Sequence, residues 1–260
     1  MIGSLFLPLS HYRFLLSQLV QREIKARYKQ SIIGYAWVIV NPLAQLLVYS
    51  FVFSIVFRFH STSAPYVLFL LVGLLPWTFL QGSIATATMS LVDNAPLLRK
   101  VAFPREIIPY SVVVAKLVDF AFAGLILGGF FLVLHQQVRW SMLLFFPIFL
   151  VQIFLTVGMG LLLSAFNLFY RDVQYLANLL LMLWMYLSPV VYPLDLVPQQ
   201  WQSIYMINPM VGLLESYRAV LFGTPIPQIP LLIAVVFSLC IFVVGWVAFK
   251  NAEPVFADIA

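Results

Sequence analysis

The ionisable residues of this chain are few, and none of their spacings makes a reaction centre. His11, His60 and His135 lie far apart near the ends of apolar runs, without metal-ligand spacing, and read as interfacial residues. There is no GxxxxGK(S/T) loop to cradle a nucleotide phosphate, which excludes ATP hydrolysis by that route. The nine acidic residues fall mostly in polar loops. Two opposite-charge pairs stand three apart, Lys116 with Asp119 and Glu215 with Arg218, so each pair shares a helix face. Pairing relieves the cost of a charge in a span, about 2.5–3.5 kcal/mol at mid-bilayer. Lys116 and Asp119 are read as a structural pair near one end of a span, against the alternative of a proton relay. The single cysteine, Cys240, forms no internal disulfide. The chain is not expected to be an enzyme.

A different chemistry is written in the first apolar run. Trp37, Asn41, Gln45, Tyr49, Phe53 and Phe57 recur every four residues, so on a helix they stack along one winding face. Two amides in a span are costly against lipid, because their hydrogen-bonding groups go unpaired. Two readings are open. The stripe is a contact with another helix, with Trp37 as an interfacial anchor, or it walls a pathway for something both polar and apolar, such as a sugar chain. Pro42 adds a kink, and Trp184 and Tyr186 offer further aromatic surface.

Residues 93–109, DNAPLLRKVAFPREIIP, hold Arg99, Lys100 and Arg105 within seven residues. Pro96, Pro104 and Pro109 each remove a backbone donor and restrict the residue before, so one continuous helix is forbidden. Room remains for a short helix over 97–103, with Arg105 and Glu106 after its proline-marked end. A short basic helix between spans suits docking of a soluble partner. A loop carrying Lys and Arg only to fix topology is the other reading.

Composition dictates the elements that position these residues. With 63% of 260 residues hydrophobic and 9% charged, the chain cannot cover a soluble surface and is expected to be an all-α polytopic membrane protein. Its net charge of +5 is explained by positive-inside loops rather than nucleic acid. No apolar segment with a small-residue cleavage site opens the chain, so no removable signal peptide is expected. Residues 11–30 pattern as an amphipathic interface helix, with Leu16, Val20, Ile24 and Tyr28 opposite Arg22, Lys25 and Lys29. Arg27 falls on the apolar side, where it snorkels or meets an anionic lipid headgroup.

Six spans are expected at 32–57, 66–89, 107–134, 141–166, 173–194 and 228–249. With both termini cytoplasmic, ten Lys and Arg lie inside and three (Arg58, Arg139, Arg218) outside, with Lys116 within a span. Pro209, Glu215 and Arg218 make residues 203–222 a costly crossing, so a re-entrant hairpin on the outer side is expected.

Several segments, in order, carry a resemblance: YKQSIIGYAWVIVNPLAQLLVYSFVF, LLPWTF, NAPLLRKVAFPREIIP, YLSPVVYP, INPMVGLLESYRAVLFG and the tail NAEPVFADIA. Together they resemble the permease subunit of type-2 ABC exporters for cell-surface polysaccharides, the O-antigen, capsule and teichoic-acid systems. Ile33-Gly34 stands where that family usually has Leu-Gly. The resemblance implies that the short helix couples to a separate ATP-binding subunit with Walker motifs, through Leu98, Arg99, Lys100, Phe103, Pro104, Arg105 and Glu106. It implies two copies forming a channel in a bacterial cytoplasmic membrane, a glycan on undecaprenyl diphosphate as cargo, and Arg27 and Lys29 as candidates to meet the diphosphate. ATP and Mg would belong to the partner, so no cofactor is expected here. The competing readings are a related drug or lipid permease, a membrane enzyme acting on lipid-linked sugars, and a proton-coupled transporter.

Overall fold

A computed structural model describes residues 12–28, 31–56, 65–101 and 103–259, and among them the regular structure is entirely helical. Lys29 and Phe57 lie outside the described residues. In chain order the helices are α1 (Arg13–Tyr28), α2 (Trp37–Ser50, continued by a π-helical turn over Phe51–Val56), α3 (Tyr66–Asp93) and α4 (Ala95–Lys100). They are followed by α5 (Ile107–Val133), α6 (Phe145–Phe169, entered through a 3-10 turn), α7 (Val173–Tyr186), α8 (Gln199–Tyr205) and α9 (Pro209–Phe222). The last two are α10 (Gln228–Ala252) and α11 (Phe256–Ile259). Among the described residues, five helical segments are long and apolar enough to cross a membrane: Gly34–Phe53, Tyr66–Asp93, Ile107–Val133, Trp140–Phe169 and Gln228–Val255.

The bundle is built around α3. This helix is apolar on every side, and its deep burial, greater than that of the other long helices, marks it as the core helix of the bundle. Leu68, Leu71, Leu74, Trp77, Leu80, Ile84 and Leu91 are all fully buried within it. It packs against α2, α5, α6, α7 and α9, while α10 lies along α6 and against α9. Without a hydrophobic drive between helices in lipid, close approach of backbones supplies the contact, and small residues permit it. A Cβ at Gly158 of α6 would stand 2.6 Å from the Phe242 Cα of α10, and one at Gly245 would stand 2.9 Å from the Gly158 carbonyl carbon.

A second core cluster closes one end. It joins Leu19 of α1, Leu91, Leu98 of α4, Phe103, Ile107, Phe249 and Phe256. The N-terminal helix, the basic loop and the C-terminal segment therefore meet at the same end of the bundle, called the basic end below.

Three elements differ in extent from the sequence reading. The short helix expected over 97–103 runs over Ala95–Lys100, because Pro96 falls in its first turn, where a missing donor costs nothing. Val101 is already extended. The fifth expected span, 173–194, is helical only over Val173–Tyr186, about 21 Å at 1.5 Å per residue, and turns non-helical ahead of Pro189. The 203–222 hairpin resolves into α8 and α9, hinged at Asn208. Its Arg218, expected on the outer side, is 5% exposed and lies over the Phe69 ring at 3.6 Å. The guanidinium also pairs with Glu215 at 2.7 Å and donates to the Val190 carbonyl at 3.1 Å, which makes its burial tolerable.

Candidate functional site

At the basic end, α4 is rooted on one side and free on the other. Leu98 and Phe103 are buried in the end cluster, while Arg99, Lys100 and Val101 face outward. Asn94, at the α3–α4 junction, is buried; its amide donates to the Ser90 carbonyl at 2.7 Å and its oxygen accepts from Arg22 of α1. The loop after α4 is tied to the C-terminal segment. The Arg105 backbone N–H donates to Glu253 Oε1 at 2.8 Å, and its guanidinium donates to the Glu253 carbonyl. Lys250 bridges Glu106 at 2.7 Å and Glu253 at 2.9 Å. Phe256 packs edge-on to Phe249 at 5.1 Å beneath them.

The seven coupling candidates thus divide. Arg99 and Lys100 are exposed, Pro104 and Arg105 are half-buried, and Leu98, Phe103 and Glu106 are buried. Lys250 and Glu253 belong to the same unit and were not singled out from sequence as loop partners. The tail motif NAEPVF marked their neighbourhood, but nothing in it names a contact with the loop.

The polar half of the aromatic stripe opens onto a crevice between α2, α3 and α5. Trp37, Asn41 and Gln45 line it together with Thr78, Lys116, Asp119 and Phe120, around a cavity of about 210 Å³. The closest partner of Asp119 is the Arg27 guanidinium from α1, with Lys116 at 4.0 Å. The expected Lys116–Asp119 pair is therefore a triad in which the interface helix supplies the nearer cation. That bond also accounts for Arg27 on the apolar side of α1.

Tyr49 and Phe53 continue the stripe with ring centroids 6.4 Å apart and lie half-buried against the main core. Trp184 and Tyr186 are not equivalent. Trp184 donates to Asn208 Oδ1 at 2.8 Å and packs edge-on to Trp77 at 5.9 Å, whereas Tyr186 is 59% exposed. Asn208 itself caps α9, accepting from Met210 N–H at 3.0 Å and donating to the Leu187 carbonyl at 2.8 Å and to Ser188 Oγ at 2.9 Å. Nearby, the Tyr192 and Tyr205 hydroxyls meet at 2.7 Å; burial and this bond push the Tyr205 phenol well above its ordinary range.

Five long apolar helices and a sixth, shorter one among the described residues define a multi-pass membrane protein. The chain belongs to the ABC-2 type transporter family, whose model matches residues 15–222. It is 35% identical over 256 residues to an O-antigen export system permease protein from Myxococcus xanthus, covering 96% of each chain. A protein of the same description from Klebsiella pneumoniae is 30% identical, with 94% of each chain covered. A polysialic acid transport protein from Escherichia coli is 25% identical, covering 89% of this chain and 91% of the relative.

Proposed function

We propose that this chain is the membrane-spanning subunit of an ATP-driven exporter of lipid-linked polysaccharide in a bacterial cytoplasmic membrane. In this reading two copies form the passage, and two separate ATP-binding subunits supply the energy. The observation that carries it is the extent of the similarity to O-antigen export permeases, 96% of the chain in one case. The geometry supports the energy coupling: α4 offers Arg99 and Lys100 to a partner while Leu98 anchors it in the core. The meeting of α1, the basic loop and the C-terminal segment at one end agrees with both termini being cytoplasmic.

The test is coexpression with a Walker-motif ATP-binding subunit from the same operon, followed by copurification and an export assay for surface glycan. Stable copurification and a surface-glycan defect on deletion of this chain are expected. A chain that purifies without such a subunit, and whose deletion leaves surface glycan unchanged, would overturn the reading.

A further inference from the structure

Away from the basic end, α5 leaves one side open. A groove runs there between α5, the turn that enters α6 and the end of α9. It has two hollows, of about 330 and 620 Å³, which share Gly124, Leu127, Met142 and Leu221, and every residue lining either one is apolar. Gly124, Gly128 and Gly129 form its floor, since a Cβ at any of them would meet nothing within 4 Å. Each glycine weakens the helix relative to alanine, and no close backbone contact within the described chain calls for one at these positions.

Length separates the possible occupants. On α5 the groove extends from Phe120 to Leu132, about 18 Å at 1.5 Å per residue. The hydrocarbon core is ~30 Å thick, so this is roughly the depth of one leaflet. Nearer the basic end, α5 is covered by α1 and α2. A spanning helix of another chain would find only part of α5 free, whereas an acyl chain of a single leaflet fits the open length.

The mouth of the groove carries a charge. Arg139 follows Val138, which lines the outer hollow, and precedes the exposed Trp140. Tryptophan beside apolar helices marks the level of the lipid headgroups. The Arg139 guanidinium rests on Gly223, where a Cβ would stand 2.5 Å from Cζ, so glycine is what makes room for it. This is the C-terminal end of α9, whose dipole favours a cation. Among the described residues the guanidinium makes one hydrogen bond, to the Gly223 carbonyl at 3.4 Å, and pairs with no carboxylate. Most of its five donors are therefore unused, on an exposed residue at headgroup level.

We propose that this groove binds one anionic phospholipid, with an acyl chain lying over Gly124 and Gly128 and Arg139 bonding the headgroup phosphate. A single unpaired cation matches a lipid of one net negative charge better than a zwitterionic one. The site is at the opposite end of α5 from the interface helix, and it does not depend on what the chain exports.

The experiment is a native mass-spectrometry titration of the full-length chain in detergent, paired with melting curves. The probes are phosphatidylglycerol and phosphatidylcholine with the same acyl chains. The variants are Arg139→Gln and the pair Gly124→Leu with Gly128→Leu. The unsubstituted chain should bind phosphatidylglycerol about fivefold more tightly than phosphatidylcholine. Arg139→Gln should remove that preference, and the leucine pair should weaken both lipids about tenfold by filling the groove. Phosphatidylglycerol should raise the melting temperature of the unsubstituted chain more than that of either variant. Each rise is measured against the same protein without lipid, so any loss of packing on Gly223 drops out. Arg139→Gln keeps a donor for the Gly223 carbonyl and decides the matter if the leucine pair folds poorly. Equal phosphatidylglycerol affinity in all three proteins would overturn the proposal, as would equal binding of the two lipids by the unsubstituted chain. A leucine pair that lowers the oligomeric state and leaves lipid binding unchanged would also overturn it, by giving the groove to a second copy.

Discussion

Glu106, at the N-terminal end of α5, and Lys250, in the last turn of α10, meet at 2.7 Å. The glutamate side chain is only 6% exposed, and the lysine is 30% exposed. A carboxylate suits the start of α5, where the helix dipole favours negative charge. Its burial nevertheless requires a cation, and the last span provides one. The basic loop is therefore held between the span it leads into and the end of the chain.

Removing that cation should destabilise the protein out of proportion to its exposure. Lys250→Met leaves Glu106 buried and unpaired, at a cost of about 2–3 kcal/mol. In the double variant Glu106→Gln with Lys250→Met the buried charge is gone, so the combined loss should be smaller than the sum by about 1 kcal/mol or more. Thermal unfolding of the four detergent-purified proteins measures this. Strictly additive losses would mean that the two residues act separately.

The basic residues of the loop should separate into two kinds. Arg99→Glu with Lys100→Glu alters only exposed charges, so stability should stay within about 0.5 kcal/mol while copurification with the ATP-binding subunit is lost. Arg105→Glu sets a carboxylate against Glu253, whose backbone and side chain both bond Arg105. It should loosen the C-terminal segment as well, lowering the melting temperature and abolishing export while membrane insertion stays intact. If both variants kept normal copurification and export, the loop would serve topology alone.

The helices and the basic loop were legible because hydropathy and proline placement act locally. The same is true of the four-residue stripe, which lies along α2 with Trp37, Asn41 and Gln45 on one crevice. The partners of those residues were not legible. Spacing joined Lys116 to Asp119, but the closer contact is Arg27 from a helix far back in the chain. For Arg218 the spacing gave Glu215, but not the Phe69 ring or the Val190 carbonyl that also surround its buried guanidinium. Such contacts are set by how spans cross, and no periodicity within one span encodes that.

The far end of the bundle should depend on Asn208. Its amide caps α9, accepts from Trp184 and donates to two groups after α7. Asn208→Ala loses all four bonds and should cost about 2–4 kcal/mol. Asn208→Asp keeps the two accepted bonds and loses the two donated ones, so its melting temperature should fall between those of Ala and the unsubstituted chain. An Asp variant no better than Ala would show that capping contributes nothing there.

Topology follows from the shared basic end. A reporter fused after Lys250 should be active only in its cytoplasmic form, with an external reporter silent at the same position. The expectation rests on the ten-to-three charge bias, together with the packing of Leu19, Leu98 and Phe256 in one cluster at the basic end. An externally active fusion would refute the cytoplasmic placement of the C-terminal segment.

The deeper half of the α2 stripe carries the last prediction, that Tyr49 and Phe53 line the passage between two copies of the chain. Both are half-buried in one chain, with their rings 6.4 Å apart, and exposed Tyr186 lies on α7. Aromatic rings offer broad apolar faces to the C–H surface of a sugar, and tyrosine adds a polar tip. Such a surface lets a polymer slide, because a transported chain must bind weakly enough to leave. Tyr49→Ala with Phe53→Ala should then impair export and leave folding and copurification intact. If the stripe serves packing alone, the same change forfeits core contacts worth several kcal/mol and lowers expression. A cysteine at position 49 decides between them, in a Cys240→Ser background because the native cysteine is exposed. Labelling by a membrane-impermeant thiol reagent should rise during ATP turnover. The control is a cysteine at position 48, where Val48 is 54% exposed and lies off the four-residue stripe. Labelling at 49 that never exceeds labelling at 48 would place the pair in a packing seam.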